Sequence, residues 1–140
     1  MSWNQYVDRV MKAPGVTSAA ILGKDTKVLS VWARSKNFSN DNARILKLVQ
    51  DLPKFDVLQA NGITLVEGFK YMTTVANESF VHARKDTQGV FAFDFRNGYI
   101  VLTYAPGADV GKISNATAGI AEYLKEELSR TTAATAATTA

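Results

Sequence analysis

His82 is the only histidine in the chain and cysteine is absent, which removes paired imidazoles, thiolate nucleophiles and His/Cys metal sets together. A lone histidine in a strand-like segment is more often structural or simply exposed than catalytic. Asp41, Asp51 and Asp56 crowd one region, but they fit a helix start, a helix end and a loop, with no apolar setting to drive two carboxyl pKa values apart. No Gly-x-Gly-x-x-Gly or Gly-Lys-Ser/Thr run occurs, and Gly107-Ala108-Asp109-Val110-Gly111 reads as a connecting loop. The sequence therefore predicts a protein without catalytic residues, metal or cofactor.

The aromatic residues are more informative. Trp3 and Tyr6 are three apart near the N-terminus, Trp32 lies in a strand-like run, and Tyr123 flanks the apolar side of the last helical segment. Each alone fits a core position, since aromatics at helical spacing usually face inward. If the first and last helices lie side by side on one face of a sheet, however, the four rings meet in a groove. Such a groove suits a polyproline II ligand: rings pack on prolines, while Trp N–H and Tyr O–H groups bond to backbone carbonyls that have no internal partner.

The elements that would position these rings can be read along the chain. Ser2 and Gln5 have the spacing of a capping box, and Trp3, Tyr6, Val7, Val10 and Met11 recur at helical intervals until Pro14-Gly15. Thr17 to Leu22 and Lys27 to Ala33 predict a hairpin turning at Gly23-Lys24-Asp25. A second helix is expected from Ser39, as its cap, to Asp51, with Pro53 as its stop. Five strand-like runs follow: Gly62 to Val66, Phe69 to Ala76, Phe80 to Arg84, Val90 to Arg96 and Tyr99 to Tyr104. Asn97-Gly98 suits a two-residue type I′ turn that pairs Arg96 with Tyr99 and puts Phe91, Phe93 and Phe95 on one face with Ile100, Leu102 and Tyr104. Ile113, Thr117, Ile120, Leu124 and Leu128 mark a last helix from about Gly111 to Arg130. Residues 131–140 contain only Thr and Ala, too poor in apolar bulk to order a tail, which is expected to be flexible or to fray.

A chain of 140 residues with 46% hydrophobic content fits one domain, residues 1–130, ahead of that tail. The lack of cysteine fits a reducing cytosol, and no signal-peptide or membrane-spanning pattern is present. The glycosylation-type triplets at Asn37, Asn77 and Asn115 are read as chance. A net charge of +3 would favour acidic partners or anionic lipid weakly, and no basic run interleaved with aromatics points to nucleic acid.

The opening Ser2-Trp3-Asn4-Gln5-Tyr6-Val7-Asp8, followed by Val31-Trp32-Ala33 and Glu67-Gly68-Phe69-Lys70-Tyr71 in order, resembles the profilins over residues 2 to 128. The resemblance implies an α+β fold in which a central antiparallel sheet carries the N- and C-terminal helices on one face and shorter helical elements on the other. It implies a cytoplasmic, cytoskeletal protein that binds monomeric actin and proline-rich assembly factors, governing actin nucleotide exchange and filament assembly. Its polyproline site would be Trp3, Tyr6, Trp32 and Tyr123. Many profilins carry another aromatic two turns beyond; here that position is close to Ser129, so the proline site is expected to be weaker or differently shaped. Actin contacts would fall on Lys70, Tyr71, Thr73, Arg84, Lys85, Lys112 and Asn115, and phosphatidylinositol bisphosphate contacts on Lys70, Arg84, Lys85, Arg96 and Lys112. The alternative is a profilin-like binder of proline peptides or lipid with weak or lost actin contact.

Overall fold

The computed structural model describes residues 2–66 and 68–139, with side chains described through Leu128. In chain order the elements are α1 (Trp3–Met11), β1 (Val16–Gly23), β2 (Val31–Arg34), α2 (Asn42–Asp51), α3 (Phe55–Asn61), β3 (Ile63–Val66), β4 (Phe69–Ala76), β5 (Phe80–Lys85), β6 (Gln88–Asp94), β7 (Gly98–Tyr104) and α4 (Val110–Thr139). The strands form one antiparallel sheet in the order β2-β1-β7-β6-β5-β4-β3.

Alternation along the central strands divides the interior into two cores, because successive side chains point to opposite faces. Ile21, Phe91, Phe93, Ile100, Leu102 and Tyr104 pack with Tyr6, Val7 and Val10 of α1 and with Ile113, Ala121 and Leu124 of α4. Their neighbours Ala20, Leu22, Val90, Ala92, Tyr99 and Val101 pack on the opposite face with Ile45, Leu48 and Val49 of α2 and Leu58 of α3. Strands buried on both faces read as continuous apolar runs, as Gly98–Tyr104 does. The expected placement of the terminal helices on one face and the shorter helices on the other is what the chain adopts.

Several local expectations are corrected. Ser2 precedes α1 with extended dihedrals, but its side chain makes no capping bond; the turn is closed instead by the Gln5 amide donating to the Ser2 carbonyl at 3.2 Å. Ser39 does not cap α2. Asp41 does, accepting from the Arg44 amide at 3.2 Å, while the Ser39 hydroxyl donates to the Leu65 carbonyl and ties the approach to α2 onto β3. The β1–β2 connection spans 24–30 rather than a tight turn, because Asp25 accepts from the amides of Lys27 and Val28 and folds the loop on itself. The sequence reading missed α3, a one-sided helix too short to show periodicity.

The β6–β7 register also differs from expectation. Asp94, not Arg96, lies opposite Tyr99. The positive φ, 80°, falls on Arg96, whose amide donates to the Asp94 carboxylate at 2.6 Å, and the Phe95 amide donates to the Gly98 carbonyl at 3.0 Å. Burial of Phe95 and capping by Asp94 favour this longer turn. Because the slip is two residues, every side chain keeps its face, and the predicted Phe91–Phe93–Phe95 face holds. The last helix, expected to end near Arg130, continues to Thr139, so the backbone of 131–139 belongs to α4, while the side chains from Ser129 onward lie outside the described residues. Among the described residues no helix is long and apolar enough to cross a membrane.

Candidate functional site

The first turn of α1 presents Trp3 and Tyr6 on one side, as i,i+3 spacing requires. Trp3 meets Trp32 of β2 with ring centroids 4.8 Å apart and Tyr6 at 5.8 Å. Tyr6 in turn meets Tyr123 of α4 at 6.5 Å. The four predicted rings thus form a continuous strip across α4, α1 and β2. Phe95 lies beneath it, 5.8 Å from Trp3 and 6.1 Å from Trp32, and is wholly buried.

The strip is open where a ligand would need it. Trp32 is 37% exposed and Tyr123 45%, whereas Tyr6 is 7% exposed and forms the floor between them. Among the described residues, none of the four side chains makes a hydrogen bond, and no buried side-chain polar atom is left without a partner. The Trp3 N–H and the Tyr6 O–H therefore keep access to solvent, and all four groups are uncommitted among the described residues. The Tyr6 phenol is pushed above its ordinary pKa by burial and by Tyr123, with Arg9, 5.5 Å over its ring, opposing, so it stays a protonated donor at neutral pH. Gly23 leaves room for Ser30 and the Trp32 indole: a Cβ there would sit 2.9 Å from the Ser30 Cβ and 3.1 and 3.2 Å from Nε1 and Cζ2 of Trp32.

The basic positions are distributed less simply. Tyr71 of β4 turns into the α2–α3 core and is 8% exposed, and the Thr73 hydroxyl donates to the Leu58 carbonyl of α3 at 2.7 Å. These two predicted contact residues are thus engaged inside the fold. Alternation sends their neighbours Lys70 and Met72 to the face that carries α4, where Met72, opposite Arg84, is 50% exposed. Lys112 and Asn115 are exposed on α4 on the same side of the sheet, beside the buried Ile113 and Thr117. Lys85 returns to the other side with Val81 and Ala83, its ammonium 4.4 Å over the Phe69 ring. Arg96 is remote from Arg84, which pairs with Gly89: they lie toward opposite ends of β6, roughly 20 Å apart at strand rise. Lys70, Arg84 and Lys112 therefore share a side, and Lys85 and Arg96 do not join them.

Sequence reasoning missed Met72 and Phe95 as parts of these surfaces, and it left His82 unassigned. His82 lies on the α4 side of β5, stacked on Phe91 with centroids 4.3 Å apart. The Thr74 hydroxyl donates to the His82 carbonyl at 3.1 Å and so accepts from Nδ1–H at 2.9 Å, leaving Nε2 to accept from the Tyr104 hydroxyl at 2.6 Å. Burial, then the Arg84 charge, holds the His82 pKa below its ordinary 6.5. The unfolded chain then binds the proton more tightly than the fold, so the contribution to stability is complete above pH 6.5 and is lost as pH falls below it. The melting temperature is expected to drop between about pH 7.5 and about pH 5.5. His82→Gln should flatten that dependence, and an equally steep profile in the variant would remove His82 as its source.

The profilin family model matches residues 1–128. A profilin of Branchiostoma belcheri is 35% identical over 106 residues, covering 75% of this chain and 81% of the relative. The solved structure of Acanthamoeba castellanii profilin IA is 29% identical, with a TM-score of 0.79 over 90% of this chain and 98% of that one. Mouse profilin IIa, solved in complex with a double repeat from the FH1 domain of mDia1, has a TM-score of 0.73 at 16% identity, covering 91% of this chain and 99% of that one; this is a likeness of fold. Strip, two-sided sheet and sequence relatives agree, and the chain belongs to the profilin family.

Proposed function

We propose that this chain binds proline-rich segments along the Tyr123–Tyr6–Trp3–Trp32 strip and monomeric actin on the α4 side of the sheet, acting in the cytoplasm to couple the two. The observation that carries the proline half is the strip itself, partly exposed and with uncommitted indole and phenol donors. A polyproline II helix offers rigid ring faces and unpaired carbonyls, which these rings and donors complement. Mouse profilin IIa, which shares the fold, is solved in complex with a double repeat from the FH1 domain of mDia1. The actin half rests on family membership together with an exposed patch of Lys70, Met72, Arg84, Lys112 and Asn115. The same cations supply an anionic-headgroup surface for phosphatidylinositol bisphosphate.

Gel filtration with purified monomeric actin tests the coupling, with co-elution as the expected result. Lys70→Glu combined with Arg84→Glu is expected to weaken actin binding at least tenfold, since two reversed rim charges oppose association. The double variant should also weaken binding to vesicles containing phosphatidylinositol bisphosphate, with polyproline binding preserved. Equal loss of polyproline binding by the folded double variant would contradict two separate surfaces. The burial of Tyr71 and the internal bond of Thr73 favour a second reading, a proline-peptide binder with weak actin contact; absence of co-elution with actin selects it. We also propose that the Thr/Ala segment 131–140 is dispensable, having no side chain able to supply the ~1.5–3 kcal/mol of a buried apolar anchor. Ending the chain at Ser129 should leave the melting temperature nearly unchanged, and a drop of several degrees would place the segment in the folding unit.

A further inference from the structure

On the face of the sheet opposite the aromatic strip, a cavity of about 440 Å³ lies between the C-terminal end of α2 and strands β5, β6 and β7. Its floor is apolar, formed by Val49, Leu52, Val81 and Ala92, each no more than 3% exposed. The volume falls within the range of small-molecule sites. Some polar groups around it are committed. Asn77 accepts from the amides of Ser79 and Phe80, and Lys24 Nζ donates to both Asp94 carboxylate oxygens at 2.9 and 2.8 Å.

Tyr99 is the buried polar side chain left open. It is 7% exposed and lines the cavity, and its hydroxyl makes no hydrogen bond among the described residues. Because no buried side-chain polar atom lacks a partner, that oxygen keeps access to solvent, and the cavity is its route. Beside it, Lys24 Nζ stands 5.1 Å from the Tyr99 ring centroid and keeps a third N–H beyond the two given to Asp94. Two donors thus line the pocket above its apolar floor, with the Asp94 carboxylate already held by Lys24. Lys24 and Asp94 neutralise each other, and Glu78 on the rim is in no ion pair among the described residues, so an anionic ligand is disfavoured.

We propose that this cavity binds a neutral, ring-bearing small molecule whose carbonyl oxygen accepts from the Tyr99 phenol and the Lys24 ammonium. The ring lies on the Val49, Leu52, Val81 and Ala92 floor. Burial, then the Asp94 charge, pushes the phenol up to about 12, which keeps it a donor throughout the neutral range. The site shares no residue with the aromatic strip, so it can be occupied while a proline segment is bound.

Prodan, a neutral naphthyl ketone whose emission moves to the blue in apolar surroundings, serves as the probe. Titration into the full chain should give saturable blue-shifted emission. Tyr99→Phe should weaken it about three- to tenfold, the usual effect of one neutral hydrogen bond, whereas Trp3→Ala and saturating poly-L-proline should leave it unchanged. A lack of saturable blue shift, equal affinity in folded Tyr99→Phe, or displacement by poly-L-proline would overturn the proposal. Should Tyr99→Phe fail to fold, NMR of the wild-type protein decides: methyl signals of Val81 and Ala92 should move with prodan, and unmoved signals overturn the assignment.

Discussion

Trp3→Ala is expected to reduce affinity for poly-L-proline by about thirtyfold or more, the effect of losing an aromatic worth ~2 kcal/mol at the centre of an interface. Trp3 is the hub of the strip, within 5.8 Å of Tyr6 and Phe95 and 4.8 Å of Trp32. Its removal takes away one ring and one N–H donor, and it also leaves Trp32 without the partner that fixes its tilt. Tyr123→Phe, which keeps the ring and deletes only a hydroxyl, should cost much less. Tryptophan fluorescence titration with proline decamer, checked for folding by circular dichroism, measures both. An unchanged binding curve for folded Trp3→Ala would show that proline segments, if bound, lie elsewhere.

The largest stability effect is expected at Phe95. This ring is wholly buried and touches both indoles, and the backbone amide of the same residue closes the β6–β7 turn by donating to the Gly98 carbonyl. Deleting a buried Phe side chain costs about 3–5 kcal/mol through lost transfer energy and the cavity left behind. For a domain of this size that is a fall in melting temperature of roughly 10–20 °C. Since the strip rests on this ring, the variant should also bind polyproline more weakly at temperatures where it remains folded. A loss of only a few degrees would mean that the turn and both indoles collapse onto the vacant space.

What could be read from the sequence follows from how local each signal is. The aromatic groove was legible because α1 and α4 have clear apolar stripes, and their docking on one sheet face brings Tyr6 and Tyr123 together. The Phe91–Phe93–Phe95 face survived a wrong register because a slip of two residues preserves alternation. Less visible were features set by long-range partners. Asp41 displaced Ser39 as the α2 cap because Ser39 was already tied to Leu65 across the sheet. Lys70 and Lys85 looked equivalent as exposed strand lysines, yet the β4–β5 register and the contact of Lys85 with Phe69 put them on different faces. Phe95 was legible as core but not as the support of the strip, since nothing local in the sequence links a turn residue of β6 to Trp3 and Trp32.

The most direct test of the proline site is NMR of the two indole Nε1–H signals, assigned through Trp3→Phe and Trp32→Phe, during addition of proline decamer. Both signals should move with one saturable affinity as their uncommitted N–H groups meet proline carbonyls, while the ring signals of His82, on β5 away from the strip, stay fixed. Indole signals that remain in place at saturating decamer would contradict the account.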